Sequence, residues 1–74
     1  MIDQKSVGAR IELRRRNRGW TQAQLAKAMN VSPQAVSKWE RGKTFPDPLF
    51  LDELAAALHC SIDELLTGVS SKSE

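Results

Sequence analysis

The chain is poor in the residues that build most extracellular, membrane or catalytic proteins: of its 74 residues one is cysteine, none is tyrosine, two are phenylalanine and one is histidine. A single thiol cannot close an internal disulfide, so a reducing cytoplasm is the expected compartment and Cys60 is read as a small core residue. No apolar run exceeds the five residues Leu54 to Leu58, far short of the ~20 that span a bilayer, so no membrane contact is expected. The opening residues Met1 to Lys5 hold no apolar signal segment, and export is not expected. β-Branched and aromatic residues are sparse and never alternate with polar ones, which leaves strands without support. A chain of this length buries only ~60% of its unfolded surface, so it forms one modest core with little room for a deep cleft. His59 beside Cys60 has no second ligand cluster at metal spacing and no acid arranged for nucleophilic chemistry. It is read as a helix-end cap, and the chain is expected to be no enzyme, with no catalytic residue, metal or cofactor.

What is present is charge, unevenly placed. The net +2 conceals ten Lys/Arg against three acids in residues 1–45, giving +7, and Lys72 alone against six acids in residues 46–74, giving −5. Such a two-ended distribution concerns partners and not fold. It is read as a positive side formed by the first helix and the segment after it, and a negative side that does not compete for polyanions.

Five helices can be placed from their start and stop residues. The first runs from about Lys5 to Arg18, with Val7 and Ile11 inward and Gly19 as a left-handed cap. Leu13 falls off that apolar face. Thr21 with Gln24 forms a capping box for the second helix, whose Leu25 and Met29 make an apolar ridge, and Asn30 is suited to a left-handed reversal. Ser32 caps the third, with Pro33 in its first turn and Gly42 at its end. Asp47 as N-cap and Pro48 at the first position open the fourth, striped by Leu51, Leu54, Ala55 and Leu58. Ser61 and Glu64 box the fifth, which carries Ile62, Leu65 and Leu66 and ends at Gly68.

The stretch Gln22 to Arg41 is two short helices joined by a tight turn, with Ala26 small at their crossing and Leu25, Met29, Val31, Val36 and Trp39 as the seam. These are the requirements of a helix-turn-helix. At 100° per residue, Ser37, Lys38 and Arg41 lie within about 60° of Gln34, whereas Ala35, Val36 and Trp39 point the other way. The outward face is polar and lacks an acid. Gln pairs with an adenine edge, Lys donates to guanine O6 and N7, and Ser serves either, which suits a helix in the major groove. Trp39 and Trp20 are read as core residues and not as base-stacking platforms.

The run TQAQLAKAMNVSPQAVSKWERGK, with VGARI before it and LAAALHCSIDELL after it, resembles the Cro and phage-repressor class of helix-turn-helix, the Xre family, over some four-fifths of the chain. The resemblance implies an all-α, five-helix, lambda-repressor-like domain over residues 1–68, with a flexible C-terminal tail over residues 69–74. By it, Pro33, Gln34, Ser37 and Lys38 face base edges, Pro33 offering only apolar contact. Gln22 reaches a phosphate and braces the reading helix, and Arg41, Lys43 and Thr44 grip the backbone. Arg15 and Glu40 form a structural ion pair, while Arg16 and Arg18 remain open between phosphate-facing and solvated roles. Arg14 stands where many relatives carry Leu. The implied function is sequence-specific binding of double-stranded DNA as a transcriptional regulator, a repressor, reading a palindromic operator as a homodimer with the helix at residues 32–41. Candidate dimer residues are Leu65, Leu66, Val69, Phe45, Leu49 and Phe50, with Leu65 and Phe50 read first as core. An alternative is an antitoxin or adaptor whose acidic half meets a protein partner and which autoregulates its operon.

Overall fold

A computed structural model describes residues 2–69 of the chain; apart from Val69, the expected tail lies outside the described residues. The described residues form helices without strands: α1 (Gln4–Asn17), α2 (Gln22–Met29), α3 (Pro33–Glu40), a 3₁₀ turn (Pro48–Phe50), α4 (Leu51–Ala57) and α5 (Ile62–Thr67). α3 packs against both α1 and α2, α5 returns to α1, and α4 lies on α2.

Local chemistry sets most boundaries. Thr21 and Ser61 each accept from the backbone N–H three residues on, and Gln24 and Glu64 accept from the cap residues' own N–H groups, completing two capping boxes. Asn30 takes the left-handed conformation at φ 59° and turns α2 into α3. Ser32 accepts from Ala35 N–H, and Pro33, which has no N–H to satisfy, starts α3. Arg18 caps α1, with Gly19 beyond it in the left-handed region.

The fourth helix differs from the sequence expectation. Asp47 accepts from Leu49 N–H at 2.9 Å, and its carbonyl accepts from Phe50 N–H at 2.7 Å. This three-residue closure tightens Pro48–Phe50 into a 3₁₀ turn, so α4 begins at Leu51. His59, read as a helix-end cap, sits just past α4 and takes the left-handed conformation at φ 58°.

The core joins Val7 and Ile11 of α1, Leu25, Ala26 and Met29 of α2, Val36 and Trp39 of α3, Leu54, Ala55 and Leu58 of α4, and Leu65 of α5. Trp20, Phe45, Phe50, Cys60 and Leu66 pack partly buried against it, and burial pushes the Cys60 thiol pKa up. Leu13, Leu49 and Val69 stand exposed.

Gly8 controls the closest approach. A Cβ there would lie 2.2 Å from the Trp39 carbonyl oxygen and 2.8 Å from that of Glu40, so α1 lies directly on the last turn of α3. In an open helix, Gly→Ala gains about 1 kcal/mol. Here Gly8→Ala is expected to destabilise by about 1–3 kcal/mol through overpacking, read from urea unfolding; a gain in stability would mean that the crossing has room for a methyl group.

Candidate nucleic-acid interface

The outer face of α3 follows from its burial pattern. Val36 and Trp39 are sealed inside, whereas Gln34 and Lys38 on the opposite side of the helix and Pro33 at its first position are exposed, and Ser37 is half-buried. The segment after α3 folds back onto its last turn: Gly42 N–H donates to the Trp39 carbonyl at 3.0 Å, and Lys43 and Thr44 N–H groups donate to the Lys38 carbonyl at 2.9 and 3.4 Å. Gly42 takes φ 73° to make this turn. Lys38, Arg41, Lys43 and Thr44 are thereby gathered, all exposed, around the C-terminal end of α3.

Glu40 lies at the end of that helix but is withdrawn from its surface. Arg15 Nε and Nη2 donate to its two carboxylate oxygens at 2.6 and 3.1 Å, and Arg15 Nη1 donates to the Trp20 carbonyl at 2.7 Å. The side chains of Arg15 and Glu40 are 9% and 3% exposed, so the pair is desolvated and held in fork geometry. The hydrogen bond from Arg15 to Glu40 raises the guanidinium pKa further above its ordinary value, against the opposing effect of burial. Gln22 Nε2 also donates to Glu40 Oε1, at 2.9 Å. Gln22 is therefore turned inward to Glu40, half-buried, with its second amide hydrogen and its carbonyl oxygen not used by this bond.

The basic residues of the first helix require a correction. Arg18, left open between phosphate and solvent by the sequence, does neither: its guanidinium stacks 3.9 Å from the Trp20 ring centroid and donates to the Ala57 carbonyl at the end of α4. Arg10 donates to the Leu66 and Leu65 carbonyls of α5 at 2.9 and 3.4 Å. Arg14 lies 4.0 Å from Glu64, and exposed Arg16 pairs with Glu12 at 2.7 Å. Arg10, Arg14 and Arg18 thus form an i, i+4, i+8 stripe facing α4 and α5, so the positive charge of the first helix is not a surface reserved for an outside anion. That spacing was readable in the sequence, although the carbonyls it meets were not. Among the described residues no group of three His, Cys, Asp or Glu side chains gathers as a metal site, and no helix is long and apolar enough to cross a membrane.

Two short helices at a tight left-handed turn, the second with a polar outer face ringed by cations, define a helix-turn-helix domain. The chain belongs to the Helix-turn-helix family, whose model matches residues 11–65. It is 42% identical over 67 residues to the HTH-type transcriptional regulator DicA of Escherichia coli K12, covering 90% of this chain and 50% of that protein. It is 45% identical over 62 residues to repressor protein C2 of Salmonella phage P22, covering 84% of this chain and 29% of that one. The chain therefore spans half or less of the length of these two relatives. The crystal structure of the P22 c2 repressor in complex with a synthetic operator superposes with a TM-score of 0.82 at 44% identity, covering 85% of this chain and 96% of that one.

Glu40→Ala is expected to cost about 3 kcal/mol, because Arg15 is left buried and unpaired. Replacing the pair together, as Arg15→Met with Glu40→Leu, is expected to recover most of that loss. Urea unfolding of the three variants checks it, and a double variant as unstable as Glu40→Ala would show that the cost does not come from the stranded charge.

Proposed function

We propose that this chain is the DNA-binding domain of a transcriptional regulator, acting as a repressor, that lays α3 in the major groove of double-stranded DNA. The observation that carries this reading is the acid-free outer face of α3: Glu40, its one carboxylate, is neutralised inside by Arg15, leaving Pro33, Gln34, Lys38 and the Arg41–Thr44 turn exposed. The family, the regulators and repressors among its relatives, and the likeness to an operator-bound repressor support it.

In this reading Gln34 pairs with an adenine edge, Lys38 donates to guanine O6 and N7, Ser37 adds a hydroxyl, and Pro33 packs against a thymine methyl. Arg41, Lys43 and Thr44 hold phosphates on the flank. Gln22 holds another with the hydrogen that Glu40 leaves it, so the bond that turns it inward also aims it. Phosphate contacts fix the register while base contacts carry the sequence.

A single reading helix covers few base pairs, so two copies on a two-fold operator, with half-sites about 34 Å apart, give useful specificity. Of the apolar residues suggested for the homodimer, Leu65 is fully buried and Phe45, Phe50 and Leu66 serve the core, which leaves Leu49 and Val69 as exposed candidates. The domain works in the cytoplasm, where the DNA is, and has no catalytic role. The antitoxin or adaptor reading is not favoured, since DicA and repressor protein C2 are named as a transcriptional regulator and a repressor.

Selection of bound sites from random DNA at physiological salt is expected to return a palindrome. On that site Gln34→Ala is expected to lose roughly 1–3 kcal/mol of affinity, with no loss on random DNA. Lys38→Ala is expected to relax preference at one base position, and Lys43→Ala to weaken all sequences alike. Anisotropy titrations on operator and random duplexes check the division; equal losses on both duplexes for Gln34→Ala and Lys38→Ala would refute it.

A further inference from the structure

We propose that Lys5, at the start of α1, is a further phosphate-contacting residue that extends the backbone grip of the Arg41–Thr44 turn; the proposal rests on the reading of that face as DNA-binding. Nothing in the sequence pattern of the helix-turn-helix points to Lys5, because it precedes the motif by some sixteen positions. The fold brings it there. A Cβ on Gly42 would lie 2.8 Å from Lys5 Cγ and 2.9 Å from Lys5 Cα, so the lysine stem rests on the glycine that separates Arg41 from Lys43. Gln4 Nε2 donates to the Gly42 carbonyl at 3.1 Å, which pins the first turn of α1 to the same residue.

Lys5 is exposed and enters no ion pair among the described residues. Asp3, two residues away, is occupied as the cap of α1: its carboxylate accepts from the Ser6 hydroxyl at 2.9 Å and the Ser6 N–H at 3.2 Å. Those bonds, with a smaller contribution from the charge of Lys5, lower the Asp3 pKa. Every other cation of α1 is engaged with a carboxylate or a carbonyl of the protein itself. Lys5 therefore joins Arg41 and Lys43 as three exposed cations around one glycine, an arrangement that repels itself and is relieved when an anion enters. An ammonium on a flexible stem suits a phosphate met as a point charge.

The test is a salt titration of binding to a random-sequence duplex and to a selected operator, by anisotropy, for the wild-type chain, Lys5→Gln and Lys5→Arg. Lys5→Gln is expected to make the slope of log K against log salt shallower by about 0.9 on both duplexes, so that raising salt from about 50 to 200 mM costs it roughly 3.5-fold less affinity than wild type. Lys5→Arg is expected to keep the wild-type slope. Circular dichroism melts confirm that the variants fold. An unchanged slope for Lys5→Gln, or a loss confined to the operator, overturns the assignment of Lys5 while leaving the reading of α3 intact. A wild-type chain that binds neither duplex overturns both.

Discussion

The structure depends on the buried contact between Arg15 and Glu40. All three donor nitrogens of the guanidinium are used: two on the carboxylate and one on the Trp20 carbonyl. Gln22 adds a fourth donor to the same cluster. One charge pair thus fastens the end of α1, the entry to α2 and the last residue of α3. A pair so removed from water is no strong source of stability, because desolvation offsets much of the Coulomb attraction. Its contribution is positional: this arrangement of the three helices satisfies every donor nitrogen of the guanidinium. It also settles a conflict at the surface: a glutamate at the end of a reading helix would repel phosphate, and here its charge is cancelled inside.

Gly8 is the steric counterpart of that contact. Its missing side chain lets α1 rest on the Trp39 and Glu40 carbonyls, at the helical level where the salt bridge must close. A glycine in the middle of a helix weakens it locally, and the loss is offset by the packing that the close approach permits. Arg10, Arg14 and Arg18 then fasten the other side of α1 to α4 and α5. Cations near the last carbonyls of a helix meet unsatisfied acceptors and the negative end of its dipole.

The five helices were legible because their ends are local events. Thr21 with Gln24, Ser32 with Pro33, Ser61 with Glu64, and the left-handed Gly19, Asn30, Gly42 and Gly68 mark boundaries that the structure keeps. The apolar spacing of Leu25, Met29, Val36 and Trp39 likewise sorted the inner from the outer face of the helix pair. What escaped depends on residues distant in the chain or on finer geometry. The 3₁₀ closure after Asp47 turns on which N–H groups its carboxylate and carbonyl meet. Gly8 looks like an ordinary weak helix residue until α3 is placed on it. Arg10 and Arg18 read as surface charge until the carbonyls of α4 and α5 arrive. The polar outward face of α3 was visible from periodicity alone; the convergence of Lys38, Lys43 and Thr44 was not, since it needs the turn at Gly42.

The division of labour among the bases limits how tightly one copy can hold a polyanion. Arg10, Arg14, Arg15 and Arg18 face the protein's own carboxylates and carbonyls, which leaves Lys5, Arg16, Lys27, Lys38, Arg41 and Lys43 as the exposed described cations able to displace counterions. Six such displacements set a ceiling of about −5.4 on the salt exponent of one copy. Two copies on one duplex would double that exponent without a single new contact. In the proposed DNA-binding reading, the arginine stripe that holds the helices together would also keep a lone domain loosely attached, free to exchange between stretches of DNA until a second copy arrived beside it.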